Sequence, residues 1–438
     1  MKSQLRKCTQ GKLNSFQKTM LQWNELHPYN AVHVVRIPQS FDISRLGKVI
    51  NGTLQRLGLT RLTVDARQGI YRYYDETFDC AIQTIDGHES SRARLQTEIE
   101  RQLNTRFVLD GPFCPFRFFV VPEGDSFFLG NVYFHPVADA ESVVRLMKRL
   151  VESYRQNAEP NPIASLELYP ARHDLLHRQS PALLARKVMA VPGLMRNMRS
   201  SCRPSFRDIH DLANRFAFFS LGAPRLGALV AAGKAWGVTL NDLFVALLLK
   251  SLAPLATRRL QATRRRKISV GCIVNLRKEP ALDSPQAFGL FLGSFVITHM
   301  VPDEISLKDL AKEVGVATQR IKRARLYSGM PLELTAGRLM LHLFSTARKK
   351  KLYQKHYPLW GGVTNMNLNA LWDQQHTEMP VDYFRAVSTG PVTPLVLSLT
   401  TAGDVVNVGV TYRSTVFSAE EIERVKNSFL DHLKQMEK

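Results

Sequence analysis

The sequence lacks an apolar run long enough to cross a bilayer. A spanning helix needs roughly 18 or more consecutive apolar residues, and the longest candidate, residues 240–256, is interrupted by Asn241-Asp242, Lys250 and Pro254. The N-terminal segment also lacks the apolar core of a secretory signal. We therefore expect neither a polytopic membrane protein nor a secreted one.

Cysteine is scarce. The five cysteines among 438 residues are scattered and form no CxxC pair, which argues against a zinc site and against a disulfide framework. A reducing cytoplasm suits such a chain, and we expect no bound metal. Peripheral attachment to a membrane stays open as an addition to that cytoplasmic location.

Acidic residues are outnumbered: 38 Asp and Glu stand against 59 Lys and Arg, a formal net charge of +21. Charge of this sign attracts phosphorylated cofactors, acidic carrier proteins, anionic lipid and nucleic acid. Because no recognised nucleic-acid-binding motif is present, we do not expect a nucleic-acid partner. The basic runs 264–267 and 348–351 are either solvated faces or docks for such anions.

What the sequence does contain is an ordinary globular composition, with 45% hydrophobic and 22% charged residues. Strand-like and helix-like segments alternate in both halves, which predicts two similarly built α/β (α+β) lobes. We place an N-terminal lobe at residues 1–170, a basic, proline-containing connection at 171–212 and a C-terminal lobe at 213–438.

The connection contains one segment with two interpretations. Residues 181–199 mix Leu, Val and Met with Arg and Lys, so the segment can lie in the interface of an anionic membrane. It can equally pack on the protein as a linker between the lobes, and Pro192-Gly193 is expected to interrupt it.

The candidate for chemistry is His135. A strand is predicted over residues 126–134 and a helix over 141–155, so His135 lies at a strand-to-helix junction. Asp139 follows where the helix begins, and a carboxylate stays ionised near a helix N-terminus. An imidazole exchanges protons near neutral pH, which suits a general base. The alternative is a half-buried histidine with a local hydrogen bond.

The spacing of His135 and Asp139 occurs a second time, at His299 and Asp303. A strand end, a proline turn and a helix start account for that second pair without any function. The first pair therefore carries the prediction.

Residues 134–142, FHPVADAES, resemble the HHxxxDGxS motif of the chloramphenicol acetyltransferase-like superfamily. That superfamily includes condensation domains of nonribosomal peptide synthesis and wax ester synthase-like acyltransferases. Further segments resemble its features in the same order: residues 29–37, 41–64, 237–252 with VTLND, 268–279 with VNLR, 288–295, 361–368 with TN, and 394–425. The resemblance covers nearly the whole chain.

The resemblance implies a pseudo-dimer of two lobes with a tunnel at their interface. An acyl thioester, either acyl-CoA or an acyl chain on a phosphopantetheinyl carrier protein, would be co-substrate, with no cofactor bound. His135 would act as general base on a hydroxyl or amine acceptor, and Asp139 would pair with Arg277 to support the catalytic loop. Pocket candidates by the same resemblance are Phe134, Asn241, Asp242, Thr364 and Asn365.

The resemblance therefore indicates an acyltransferase of lipid or secondary metabolism, partnered by an acyl thioester donor and by an acidic acyl carrier protein. Phe134 replaces the first motif histidine and Ala140 replaces the motif glycine. Two alternatives stay open: a stand-alone condensation-type enzyme acting on carrier-bound substrates, and a non-catalytic member that binds a lipid or carrier.

Overall fold

The computed structural model describes residues 6–75, 79–156, 181–277, 287–329, 344–356, 358–372 and 379–436. Its strands are β1 (Arg6–Lys12), β2 (Asn30–Ile37), β3 (Arg61–Asp65), β4 (Ile70–Asp75), β5 (Ile82–Thr84), β6 (Phe116–Glu123), β7 (Ser126–Phe134), β8 (Asn214–Leu221), β9 (Ile268–Asn275), β10 (Leu292–His299), β11 (Leu359–Asn367), β12 (Tyr383–Val387), β13 (Leu395–Ala402) and β14 (Val405–Arg413).

Helices connect these strands. The described α-helices are α1 (Ser15–Leu26), α2 (Ile43–Arg56), α3 (Ser91–Asn104), α4 (Ala140–Gln156), α5 (Pro181–Ser200), α6 (Ala223–Trp236), α7 (Leu240–Leu252), α8 (Arg258–Gln261), α9 (Leu307–Arg323), α10 (Thr346–His356) and α11 (Ala419–Lys434). A single 3-10 turn, His135–Val137, joins β7 to α4.

The N-terminal half is built on a five-stranded sheet of order β12-β2-β7-β6-β5. The strands β6 and β7 form a hairpin that turns at Gly124, whose φ of 58° suits glycine. Every residue of β7 is buried, as expected of a strand covered on both faces. This strand carries the chain directly to His135. A separate three-stranded sheet has the order β1-β4-β3.

Helix α2 shows how local sequence fixes this half. Asp42 is its N-cap, and its side chain accepts a hydrogen bond from the Arg45 amide. The buried positions of α2 include Leu46, Val49 and Ile50, which recur at helical spacing. They join the core that packs beside the sheet.

The C-terminal half is built on a six-stranded sheet of order β10-β9-β11-β13-β14-β8. Helix α7 begins at Thr239, whose side chain accepts from the Asp242 amide while Asp242 accepts from the Thr239 amide, a capping box. Ten of its residues are buried, and the eight apolar ones belong to a second hydrophobic core between the sheet and the outer helices.

One strand crosses between the halves. Tyr383–Val387 (β12) comes late in the chain, yet it pairs antiparallel with β2 of the first sheet. Arg385 stands opposite His33 in that pairing. The division of the chain at residues 171–212 remains a prediction. In sequence β12 lies within the predicted C-terminal lobe, but it belongs to the five-stranded sheet of the N-terminal half.

Helix α5 differs from the sequence expectation. It runs from Pro181 to Ser200 with Pro192 inside it, so the predicted interruption at Pro192-Gly193 is wrong. Several of its apolar side chains are exposed, Met189 most of all, while Leu194 and Met198 face a cavity between the sheets. Residues 171–180 of the predicted connection lie outside the described residues.

Among the described helices none is long and apolar enough by itself to cross a membrane. The pair Ala223–Trp236 and Leu240–Leu255, bent by 104°, meets the length and composition requirement only when its members are taken together.

Candidate functional site

A cavity of about 280 Å³ lies between the two larger sheets. The five-stranded sheet lines it with His33, Tyr133 and Arg385, and His135 lies beside them. The six-stranded sheet and neighbouring helices supply a mainly apolar wall, which includes Phe16, Met20, Trp23, Gly271, Cys272, Ile273, Leu292, Phe295, Gly362, Val363, Thr364 and Val396. Concave, mostly apolar sites with few polar groups are typical of small-molecule binding.

His135 is presented to this cavity by the 3-10 turn that ends β7. Its backbone amide donates to the Tyr29 carbonyl at 3.2 Å, and its Nδ1 lies 3.1 Å from the Ala138 carbonyl. Because a carbonyl oxygen only accepts, Nδ1 carries the proton in the neutral ring. The lone pair is therefore on Nε2, the atom that would have to accept a proton from an acceptor substrate.

Two aromatic rings hold the imidazole in place. Tyr29 stacks on it with ring centroids 5.4 Å apart and an interplanar angle of 13°. Tyr133 meets it edge to face at 5.6 Å. The side chain of His135 is only 8% exposed. Burial lowers its pKa below the ordinary 6.5, while the Ala138 carbonyl and the charge of Asp139 oppose that shift, so the ring is neutral at pH 7.

Asp139 lies behind the histidine loop, against a residue from the other half. Arg277 Nη2 lies 2.9 and 3.0 Å from its two carboxylate oxygens. Asp139 also accepts from the amides of Ser142 and Phe291. Both charged side chains are buried, so the attraction acts in a medium that screens it little.

Ser142 also belongs to this network, a role that the sequence pattern did not predict. Its Oγ accepts from Arg277 Nη2 at 2.6 Å and from the Gly289 amide at 3.0 Å. The guanidinium of Arg277 lies 4.0 Å over the ring of Phe291. The loop after His135 is thus tied to the C-terminal half by side chains from both sides.

Gln17 also supports the histidine loop and was missed. It forms a capping box with Asn14 at the start of α1, and its Nε2 donates to the Pro136 carbonyl at 2.9 Å. The Asn-x-x-Gln pattern signals the helix start. No local signal in the sequence connects residue 17 to the turn 119 positions later.

Three pocket candidates lie away from the cavity for local reasons. Phe134 is fully buried on the opposite face of β7, against Phe107 and Phe113, because successive strand residues point to opposite faces. Asp242 is turned toward Thr239 by the capping box of its own helix. Asn241, next to it at the helix start, does not line the cavity.

The remaining pair of candidates is split by strand alternation. Thr364 lines the cavity, and its carbonyl accepts from Arg385 at 3.2 Å. Asn365, the next residue of β11, is exposed and is not part of the cavity wall.

The second histidine–aspartate spacing has a structural account. His299 Nε2 lies 2.6 Å from the carboxylate of Glu313, and Asp303 pairs with Arg259 at 3.3 Å. Neither residue lines the cavity. Across the described segments of the chain, no three His, Cys, Asp or Glu side chains cluster as a metal site would require.

A family model matches part of this chain. Residues 9–180 match the condensation domain family, while no curated protein matches the sequence. The first condensation domain of the calcium-dependent antibiotic synthetase, solved with a substrate analogue, is similar with a TM-score of 0.71 and 18% identity, over 98% of this chain and 97% of that one.

Two further solved structures share the fold. The condensation domain of the monacolin K polyketide synthase is similar with a TM-score of 0.70 and 13% identity, over 99% of this chain and 98% of that one. The epimerization domain from the third module of tyrocidine synthetase B is similar with a TM-score of 0.67 and 15% identity, over 99% and 97% of the two chains.

The resemblance of the sequence to the chloramphenicol acetyltransferase-like superfamily is therefore confirmed. The α/β fold class with two lobes is confirmed as well, since the structural similarity extends over almost the whole chain.

Proposed function

We propose that this chain is an acyltransferase that moves an acyl group from a thioester, on coenzyme A or on a carrier protein, to a hydroxyl or amine. The observation that carries the proposal is the neutral imidazole of His135 in the wall of the cavity between the two sheets, with its Nδ1 proton held by Ala138. The match of residues 9–180 to condensation domains supports the same chemistry.

In the proposed reaction His135 Nε2 takes a proton from the acceptor as the acceptor attacks the thioester carbonyl. A C–O or C–N bond forms, and a tetrahedral oxyanion results, which hydrogen-bond donors of the site would stabilise. The C–S bond then breaks, and the thiolate leaves with the proton from His135. The protein supplies position and a base, and forms no covalent intermediate.

Asp139 and Arg277 would act as positioning residues. The carboxylate faces Arg277 and the backbone amides behind the loop, so it holds the turn that carries His135. Its charge also raises the pKa of the imidazole against the effect of burial, which keeps the base basic enough to accept a proton.

A condensation-type activity on two carrier-bound substrates is a second candidate. The family match of residues 9–180 favours it, and so does the net charge of +21, which suits an acidic carrier protein. In that case a carrier-bound acceptor replaces the free alcohol or amine, and the role of His135 is unchanged.

The test is release of free thiol from acyl-CoA and from an acyl carrier protein, with a panel of alcohols and amines. His135→Ala is expected to lower acceptor-dependent thiol release by about 10²–10⁴-fold, the usual contribution of a general base. His299→Ala is the matched control and should keep the parent rate. An His135→Ala rate equal to that of the parent would overturn the proposal.

The choice of donor separates the two candidates. Turnover with acyl-CoA and a free acceptor supports the first, and turnover only with two loaded carriers supports the second. Tight binding of acyl donors without turnover across the panel would instead assign the chain to non-catalytic members of the fold.

A further inference from the structure

Arg385 places a buried positive charge in the cavity wall without a carboxylate beside it in the described part of the chain. The residue is 4% exposed. Its Nε donates to Thr400 Oγ1 at 2.8 Å, and its Nη2 donates to the carbonyls of Leu399 and Thr364 at 2.6 and 3.2 Å. All three acceptors are uncharged.

Such a charge is costly to bury. An ion removed from water needs a partner of opposite charge or a full set of hydrogen bonds. Burial lowers the pKa of Arg385 to about 10, so the guanidinium is still a cation at pH 7. A negative group from a bound molecule would supply the missing charge.

The geometry shows where that group would lie. Arg385 stands opposite His33 across β12 and β2, and both residues line the cavity. Arg385 Nη1 has no hydrogen-bond partner among the described residues. His33 Nδ1 lies 2.8 Å from the Tyr383 hydroxyl, which has no other acceptor within the described ranges. The hydroxyl therefore donates to Nδ1, and the ring proton of His33 is on Nε2.

We propose that the cavity binds a substrate that carries a carboxylate, and that Arg385 recognises this group with His33 as the neighbouring donor. An arginine beside a second N–H donor matches the two oxygens of a carboxylate. Because the rest of the cavity wall is mainly apolar, the substrate has an apolar body with the carboxylate at one end. That the bound molecule is a substrate rests on the proposed function, whereas the binding site itself does not.

The carboxylate can belong to either half of the reaction. An acyl donor with a terminal carboxylate and an acceptor that is an amino acid or hydroxy acid present the same group. Both sources present the same group to Arg385, and a comparison of turnover with the two kinds of substrate separates them.

The first experiment measures binding alone. Fluorescence of the tryptophans, one of which (Trp23) lines the cavity, is titrated with octanoate and with octanamide, which differ in charge and hardly in size. We expect octanoate to bind about tenfold more tightly or better, since a hydrogen bond to a charged group is worth about 1.5–3 kcal/mol. Equal affinities in the unaltered protein would overturn the proposal.

Variants identify the residue responsible. Arg385→Gln should remove the preference for octanoate, and Arg385→Lys should keep part of it. Arg413→Gln is the matched control, because Arg413 is equally buried, donates to Thr389 and Gly390 and does not line the cavity. It should keep the full preference, and a preference that survives Arg385→Gln would contradict the assignment.

Turnover then locates the carboxylate. Thiol release is compared for acyl thioesters with and without a terminal carboxylate, and for amino acid acceptors against their amides. The preference that disappears in Arg385→Gln tells which substrate carries the group. A preference for octanoate without any turnover supports this inference and opposes the proposed function. Turnover without a preference for octanoate supports the proposed function and opposes this inference.

Discussion

Arg277 and Asp139 lie 138 positions apart in the chain and meet as a buried ion pair with Nη2–Oδ1 and Nη2–Oδ2 distances of 2.9 and 3.0 Å. The pair joins the loop that follows β7 to the strand end that follows β9. Because Asp139 lies on the same loop as His135, we expect the orientation of the imidazole to depend on how the two halves are aligned.

Removal of one partner of this pair is expected to destabilise the fold. Asp139→Ala leaves Arg277 as a buried charge without its carboxylate, which costs about 3–5 kcal/mol in the free energy of unfolding. The Arg277→Met, Asp139→Ala double variant should be less destabilised than the sum of the single variants. Urea denaturation measures all three.

The control is a surface pair on the last helix. Lys426 and Glu423 form an exposed i,i+3 pair at 2.9 Å, so Lys426→Gln should change stability by less than about 1 kcal/mol. Equal effects of Asp139→Ala and Lys426→Gln would show that the buried pair has no special role.

The pH dependence of the proposed reaction follows from the burial of His135. Burial lowers its pKa below 6.5, and a base works only when it is unprotonated. We therefore expect kcat/KM to be retained as pH falls through 6.5, and to fall only at lower pH with the slope of one proton. Steady-state rates across the acid range measure this, and an acid limb centred above 6.5 would contradict it.

The charge of Asp139 should also affect the position of the acid limb in the pH profile of kcat/KM. Its charge raises the pKa of His135, so Asp139→Asn, where it folds, should shift the limb to still lower pH. Asp125→Asn, at the exposed turn between β6 and β7, is the matched control and should leave the limb in place.

Chain length of the acyl donor should depend on Gly271. This residue lines the cavity, and a Cβ built there meets Leu359 Cδ1 only at 3.8 Å, an ordinary contact. A Cβ is therefore tolerated at this position, and the ring of Gly271→Phe should extend into the cavity and fill part of it. Since each buried methylene is worth about 0.8 kcal/mol, loss of room for two methylenes lowers kcat/KM for long acyl chains by about tenfold or more.

Short acyl donors provide the internal control for that variant. Acetyl transfer should be nearly unchanged in Gly271→Phe, and Gly271→Ala should behave as the parent with both donors. A uniform loss across all chain lengths would indicate that the acyl chain does not lie along β9.

Restoring the motif histidine at position 134 should raise neither the stability nor the activity of the protein. Phe134 points into the core against Phe107 and Phe113, and not into the cavity. Phe134→His would bury a polar ring without partners and lose aromatic contacts, a cost of about 2 kcal/mol or more. We expect a lower urea midpoint and no gain in thiol release, while Phe134→Leu should be milder.

Local pattern was sufficient for much of the fold. The strand predicted over residues 126–134 and the helix predicted over 141–155 lie close to the observed Ser126–Phe134 and Ala140–Gln156, because turn residues and apolar spacing lie within a few positions of each other. Helix α3 was missed although Leu95 and Ile99 form a narrow apolar stripe on it.

Long-range placement could not be read from the sequence. Arg385 lies in a short strand whose partner is 352 positions earlier, and a charged residue is ordinarily expected at the surface. Local pattern also failed at Pro192. A proline is a strong signal for the end of a helix, yet helix α5 continues through this position. The candidate site itself was found through residues 134–142, which are contiguous.

The strand β12 has one consequence for how the protein can be divided. An N-terminal fragment ending before residue 213 would keep β2 but lose the neighbour that satisfies one row of its amides and carbonyls. Such an unpaired edge strand is a template for pairing with strands of other chains. Separate production of the halves should thus yield self-associating material, and activity should return only when a fragment containing Tyr383–Val387 is supplied during refolding.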